Sequence, residues 1–121
     1  MNAKTIFLKS RGGTIGFMAS ADGIDVDDHK VSLHWDRNDV DDLLWALSAR
    51  MNLYDKNAVV GCGHFGVAVR GDDPFDALGN TDDAGVVDIT YVKDGVQHDF
   101  AIYAYGTTVI SALKLLTEEA K

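Results

Sequence analysis

The sequence has very little of several residue types that shape other proteins. It contains a single cysteine, Cys62, and a single proline, Pro74. One cysteine excludes an internal disulfide, which agrees with a reducing compartment. The only glutamates are Glu118 and Glu119, so the other acidic residues are all aspartates. Aspartate favours turns and helix caps because its side chain bonds nearby backbone amides, and the sequence therefore predicts many short loops.

Long apolar runs are also absent. The existing runs, such as Ile6–Leu8, contain only a few residues, whereas a membrane span needs about 18. The first ten residues hold no apolar segment of the length that a secretion signal requires. We therefore expect a cytoplasmic protein that does not bind a membrane.

Basic residues are scarce relative to acidic ones. The chain has 11 lysines and arginines against 19 acidic residues, which gives a net charge of −8 and a pI near 4.7. Direct nucleic-acid binding requires a basic footprint, so this composition excludes nucleic acid as the expected partner. An acidic surface suits another protein with a basic surface instead. With 121 residues, of which 46% are apolar, the chain has the size and composition of one soluble domain, residues 1–121.

One long helix is predicted over Asp36–Tyr54. Asp36 has the position of an N-cap, and Arg50 near the end suits the helix dipole. At about 100° per residue six apolar side chains form one buried stripe: Val40, Leu43, Leu44, Leu47, Met51 and Tyr54. Trp45 projects to the opposite side, where its neighbours are Asp41, Asp42, Ala49 and Asn52. A large apolar ring in a position that faces water is a candidate contact for a partner protein.

The remainder of the chain alternates in the manner of β-strands. Hairpin signals occur at Arg11–Gly13 and at Asp94–Gly95, and residues 58–70 are interpreted as one bulged strand or two short ones. The second turn predicts that Val87 lies opposite Ile102, Ile89 opposite Phe100, and Thr90 opposite Asp99. Residues 25–29 are interpreted as a polar patch, residues 72–84 as a loop, and a last helix is predicted to start at Thr107 or Thr108, with a buried stripe of Val109, Ala112, Leu113, Leu116 and Ala120.

These elements indicate an α+β domain. The predicted order is βββ-α-β(β)ββ-α, with an antiparallel sheet of five or six strands and both helices packed on one face. The two halves share the plan of a hairpin, a further strand and a helix, but their residues do not align well enough to predict a repeat.

Three local patterns invite a chemical interpretation, and each has a structural alternative. Gly61–Gly66 matches G-x-G-x-x-G, but a strand follows where a dinucleotide fingerprint needs a helix. Cys62 and His64 suggest a nucleophile and its base, although side chains two apart on a strand do not point at one another. His29 with the aspartates at 25, 27 and 28 has metal-ligand chemistry but lacks the spacing of a calcium loop. We therefore predict no catalytic residue, metal or cofactor.

The face of the sheet away from the helices should be polar and aromatic. It is predicted to carry His34, His64, Arg70, Asp88, Asp99, Tyr103 and Tyr105. Tyrosine and arginine are favoured at interfaces. This face is therefore a second candidate surface for a ligand or a partner.

Three functions remain open from the sequence. The pattern favours a non-catalytic protein-binding module, such as an inhibitor or immunity-type factor of a phage or bacterial conflict system, with self-association as a homodimer included. The first alternative is a binder of a small ligand or nucleotide derivative on the open sheet face. The second alternative is a small hydrolase that uses Cys62 and His64.

Overall fold

A computed structural model of the chain describes residues 4–11, 13–53, 58–70 and 86–119. These residues form eight strands and two helices. The elements are β1 (Thr5–Ser10), β2 (Gly13–Ser20), β3 (Gly23–Asp27), β4 (Ser32–Asp36), α1 (Arg37–Met51), β5 (Val59–Cys62), β6 (Phe65–Arg70), β7 (Val86–Lys93), β8 (Val96–Ile102) and α2 (Gly106–Glu119). The prediction of an α+β fold with two helices and an antiparallel sheet is confirmed. The prediction of five or six strands is wrong, since there are eight.

All eight strands belong to one antiparallel sheet in the order β4-β3-β2-β1-β8-β7-β6-β5. The chain therefore consists of two four-stranded meanders, each followed by a helix. The meanders meet where β1 pairs with β8, at Ser10 opposite Ile102. Two backbone bonds flank that pair: the Arg11 amide donates to the Ala101 carbonyl at 3.0 Å, and the Tyr103 amide donates to the Lys9 carbonyl at 2.9 Å.

The extra strands come from two places. β3 includes part of the predicted polar patch, because Asp25 and Asp27 alternate with buried Ile24 and Val26 and simply occupy the other face of the strand. Residues 58–70 form a hairpin of two strands, β5 and β6, in which Gly63 turns the chain with a φ of 59°. Of the two interpretations of residues 58–70, the structure has the two short strands, and Gly63 lies in the turn between them and not in a bulge.

The β7–β8 hairpin has the predicted register. Val87 pairs with Ile102, Ile89 with Phe100, and Thr90 with Asp99. Asp94 and Gly95 have φ values of 56° and 80°. Positive φ at both central residues is the geometry that a two-residue type I′ turn requires, and an Asp-Gly pair adopts it readily.

Helix α1 begins as predicted but is buried over a wider arc. The Asp36 carboxylate accepts a hydrogen bond from the Asp39 amide at 2.8 Å, which caps the first turn. The buried residues are Asp39, Val40, Leu43, Ala46, Leu47 and Arg50, whereas Leu44 and Met51 are only half-buried. α1 contacts β3 and β4 as well as β5 and β6, so elements from both meanders cover it. Tyr54, the last residue of the predicted stripe, lies outside the described residues.

Helix α2 buries the stripe that its sequence predicts. Val109, Ala112, Leu113 and Leu116 are buried, while Ala120 and the predicted loop at residues 72–84 lie outside the described residues. α2 contacts α1, β2 and β3. Within the described residues, no helix has the length and apolar character needed to cross a membrane.

Trp35 lies at the centre of the core. Its ring centroid is 5.1 Å from that of Phe65, 5.8 Å from Tyr91, 5.9 Å from Phe100 and 6.3 Å from Phe17. Trp35 belongs to the first meander, and three of these four rings belong to the second. The sheet therefore bends so that both meanders contribute to one core, together with the helices.

Candidate binding surfaces

The side of α1 opposite the core exposes a large aromatic ring. Trp45 is 59% exposed, although indole rings are among the most valuable groups to bury. Around it lie the four predicted neighbours and one further apolar residue, Leu53, which is 47% exposed. We define the Trp45 patch as Asp41, Asp42, Trp45, Ala49, Asn52 and Leu53. It is an apolar centre with an acidic border, formed by α1 and the two residues that follow it.

The end of α1 beside the patch is closed by its own hydrogen bonds. The Asn52 amide donates to the Ala49 carbonyl at 3.2 Å. The Asn52 side-chain amide donates to the Ser48 carbonyl at 3.0 Å. These bonds satisfy carbonyl groups at the helix end, so the part of the patch on α1 belongs to a well-terminated helix.

Asp42 joins the patch to the turn between β5 and β6. The Cys62 thiol hydrogen-bonds to Asp42 Oδ1 at 3.6 Å. A Cβ atom on Gly63 would collide with the Asp42 carboxylate, so this position needs glycine for space as well as for its positive φ. Asp42 is therefore half-buried and held in place, while Asp41 is exposed.

Cys62 and His64 have different contacts in the structure. Burial raises the pKa of the Cys62 thiol, and the charge of Asp42 adds to this effect, so the reactive thiolate is disfavoured. The His64 ring instead packs edge-on against Tyr91, with centroids 5.9 Å apart. Among the described residues, no hydrogen bond joins Cys62 to His64. The hydrolase that uses Cys62 and His64 stays a prediction from the sequence.

The residues predicted for the open sheet face are divided among several places. We call the face opposite the helices the outward face. His34, Asp88 and Asp99 lie on it, on β4, β7 and β8. His64 lies in the β5–β6 turn, and both predicted tyrosines, Tyr103 and Tyr105, lie between β8 and α2. The backbone of Arg70 ends β6, and its side chain is outside the described residues. The single platform expected from the sequence therefore does not form.

His34 bridges two aspartates on the outward face of the first meander. Its Nδ1 lies 2.6 Å from Asp25 Oδ1 and its Nε2 lies 2.9 Å from Asp22 Oδ1. Both ring nitrogens can donate only when the imidazole is protonated. The hydrogen bond to Asp25 raises the pKa of His34, burial opposes this, and the charge of Asp22 adds to the increase. The sequence did not predict a contact between Asp25 and His34, although the two residues are cross-strand partners on β3 and β4.

We expect this cluster to stabilise the fold at low pH. A pKa raised above 6.5 in the folded state means that the stabilisation is fully present below pH 6.5 and is lost as the pH rises through the folded-state value. The effect is small because the His34 side chain is 43% exposed. An NMR titration of the His34 ring protons should give a pKa above 6.5, and Asp25→Asn should lower it. An unchanged pKa in Asp25→Asn would contradict the bridge.

His29 and its neighbouring aspartates form a turn. Oδ1 of Asp27 accepts from the His29 amide at 3.3 Å, and Oδ1 of Asp28 accepts from the amides of Lys30 and Val31, both at 3.1 Å. Such bonds between an aspartate and its own backbone are the usual reason for aspartate in turns. Among the described residues, no group of three or more histidine, cysteine or acidic side chains is placed to hold a metal.

A groove of about 700 Å³ lies on the outward face of the second meander. Gly66, Ala68, Thr90 and Ala101 contribute its small and polar floor, beside Asp88 and Asp99. Arg11 and Lys30, from the β1–β2 and β3–β4 turns of the first meander, border it. Sequence reasoning missed these two residues, because only the pairing of β1 with β8 brings the turns of one meander to the strands of the other.

Comparison with known proteins gives no further guide to this arrangement. No family model, no curated protein and no solved structure matches the chain. The Trp45 patch and the groove are the two surfaces from which a function can be argued.

Proposed function

We propose that this protein is a non-catalytic binding module that docks on another protein through the Trp45 patch. The observation that carries the proposal is the 59% exposure of Trp45 on a helix whose opposite side packs against the core. Tryptophan dominates many interfaces because it removes a large apolar area from water while its polar tip can still bond.

The size and chemistry of the patch support docking by a helix face. Trp45 and Leu53 are both exposed apolar side chains; Trp45 lies on α1, and Leu53 follows Asn52, the residue that ends the helix. A central aromatic anchor with a polar rim is the usual anatomy of a protein interface. The small side chain of Ala49 follows Trp45 by about one turn of α1 and leaves room beside the ring for a partner side chain.

The charge around Trp45 favours a partner with a basic surface. Asp41 borders the ring and is exposed, and the whole chain carries a net charge of −8. Complementary charge at the rim accelerates association, and added salt weakens it. An inhibitor or immunity-type factor that covers a basic functional site on its target needs an acidic surface of this kind. We propose this role as the specific function of the binding module.

Replacing Trp45 with serine should separate binding from folding. The variant should unfold within about 0.5 kcal/mol of the wild type because the ring is exposed, and it should bind the partner at least about thirtyfold more weakly, as expected for an anchor worth 2 kcal/mol or more. Stability is measured by urea denaturation, and binding is measured by titration against the partner. The partner is identified beforehand as a host protein that the wild type captures and Trp45→Ser does not. Iodide should quench Trp45 fluorescence in the free protein, and partner binding should protect it.

Phe7→Ser is the matched control. Phe7 is 68% exposed on the outward face, so this variant also removes an exposed aromatic ring but leaves α1 unchanged. It should bind like the wild type. Equal binding by Trp45→Ser and Phe7→Ser would reject the Trp45 patch as the docking site. A wild type that forms a dimer, which Trp45→Ser makes monomeric, would identify the partner as a second copy.

The groove supports a second function, the binding of a small ligand on the outward face. Its volume of about 700 Å³ falls within the usual range for ligand sites, about 300–1,000 Å³. A thermal-shift screen distinguishes the two functions, because a ligand that binds the folded state raises the melting temperature by mass action. A protein that acts only by docking should not respond to the screen.

A further inference from the structure

The Trp45 ring lies over the preceding turn of α1. Long side chains on a helix point back toward its N-terminus and cover the residues three and four positions earlier. For Trp45 these residues are Asp42 and Asp41. Both Trp45 and Asp41 are exposed, so an indole ring and a carboxylate border the same solvent-exposed place on the helix.

The two aspartates beside the ring differ in how freely they can bind a partner. Asp42 Oδ1 accepts a hydrogen bond from the Cys62 thiol at 3.6 Å, and Asp42 Oδ2 occupies the space that a Cβ atom on Gly63 would need. This carboxylate is therefore turned toward the β5–β6 turn. Within residues 4–11, 13–53, 58–70 and 86–119, the Asp41 side chain forms no hydrogen bond or ion pair. Asp41 supplies a free acceptor, and Asp42 adds negative charge beside it.

Helix α1 supplies no cation to this place. Its only basic residues are Arg37, which is half-buried in the first turn, and Arg50, which is buried. In the part of the chain that the structure describes, the Trp45 ring also has no aromatic or cationic partner. The indole face and the Asp41 carboxylate are therefore both open to a cation from a partner.

We propose that the Trp45 patch binds an arginine side chain of the partner protein, with the guanidinium stacked on the indole face and its edge donating to Asp41. This inference rests on the proposed docking function and names the partner residue that the patch selects. A guanidinium is planar, so it can stack on an aromatic ring and still donate hydrogen bonds in its own plane. The ammonium of lysine has no such plane and is more strongly hydrated. The adjacent indole and carboxylate therefore favour arginine over lysine.

Two N-acetylated peptide amides of equal charge, tetra-arginine and tetra-lysine, test this selectivity. The protein has two tryptophans, and the NMR spectrum of Trp45→Ser assigns the Trp45 indole N–H signal of the isotope-labelled wild type. Tetra-arginine should shift this signal and bind at least about threefold more tightly than tetra-lysine, the ratio expected for a cation–π contact at an exposed site. The indole signal of Trp35, which is buried, is the internal reference.

Two variants separate the carboxylate from the ring. Asp41→Asn should bind tetra-arginine at least about threefold more weakly than Asp99→Asn, because an exposed ion pair is lost only in the first. Asp99→Asn is the matched control, since it removes the same charge from an exposed position on the outward face. Trp45→Leu keeps an apolar side chain but has no aromatic face. It should bind the two peptides equally, as measured from the backbone amide signals of Asp41 and Ala49. The amide spectrum of each variant shows directly that it is folded.

The proposal is overturned if millimolar tetra-arginine leaves the Trp45 signal unchanged, if tetra-lysine binds as tightly as tetra-arginine, or if Asp41→Asn and Asp99→Asn bind tetra-arginine equally. Capture of a host protein through Trp45 in any of these cases would leave the docking function standing and reject only the arginine contact. Arginine selectivity without capture of a host protein through Trp45 would count against the docking function and not against the affinity of the patch for arginine.

Discussion

Replacing Trp35 with alanine should lower the free energy of unfolding by about 3–5 kcal/mol, the range for truncating a large buried aromatic residue. Trp35 has no exposed surface, and it contacts rings from both meanders. Its removal therefore leaves a cavity at the point where the two halves of the sheet share a core. Since small domains are stable by only about 5–15 kcal/mol, this variant should be folded only in part at moderate urea concentrations.

Trp45→Ala is the internal control for this prediction, because it removes the same side chain from an exposed position. Its free energy of unfolding should differ from that of the wild type by less than about 0.5 kcal/mol. Urea denaturation followed by circular dichroism measures both variants. If the two tryptophan variants lose equal stability, Trp35 is not the centre of the core.

Gly23→Ala should cost about 3 kcal/mol, the upper part of the range for overpacking. A Cβ atom at residue 23 would collide with the Trp35 carbonyl oxygen and would lie 2.9 Å from the Asp36 carbonyl carbon. These are backbone atoms, so the clash cannot be relieved by rotating a side chain. The pair of Gly23 with Asp36 would open, and Asp36 is also the N-cap of α1.

Gly61→Ala provides the comparison for Gly23→Ala. Gly61 also lies in a strand, but an added Cβ would meet only the Phe65 carbonyl oxygen at 3.6 Å, an ordinary contact. The stability of this variant should change by less than about 1 kcal/mol, the usual difference between glycine and alanine inside a strand. The melting temperatures of the two variants, measured by thermal unfolding in the same buffer, test this prediction. Equal melting temperatures would show that β4 can move away from Gly23.

The two-fold plan of the chain was visible in the sequence only as a general likeness. Both halves are four-stranded meanders followed by a helix, yet the sequence does not show the third strand of the first half. Its aspartates suggested a turn, because the preference of aspartate for loops is a local tendency. Pairing with β2 and β4 on either side overrides that tendency and places the aspartates on the outward face.

The candidate surfaces differ in how far the sequence could predict them. Trp45, Asp41, Asp42 and Ala49 share one helix, so helical periodicity was sufficient to place them together. The groove joins Arg11 and Lys30 to strands that are 29 or more residues away in the chain. No periodic pattern carries such information, and the residues were therefore missed. Arg50 and Asp39 are buried, which the helical pattern alone did not predict, because strands from both meanders pack around this helix.

The sequence by itself determined the elements whose hydrogen bonds and contacts are local. These are the start of α1 at Asp36, the buried stripe of α2, and the register of the β7–β8 hairpin at Asp94 and Gly95. Only the tertiary structure decided the order of the eight strands, the junction of β1 with β8, the His34 bridge and the groove. The physical reason is that a helix or a tight hairpin is specified by residues a few positions apart. The pairing of distant strands depends instead on which surfaces bury best together in the complete chain.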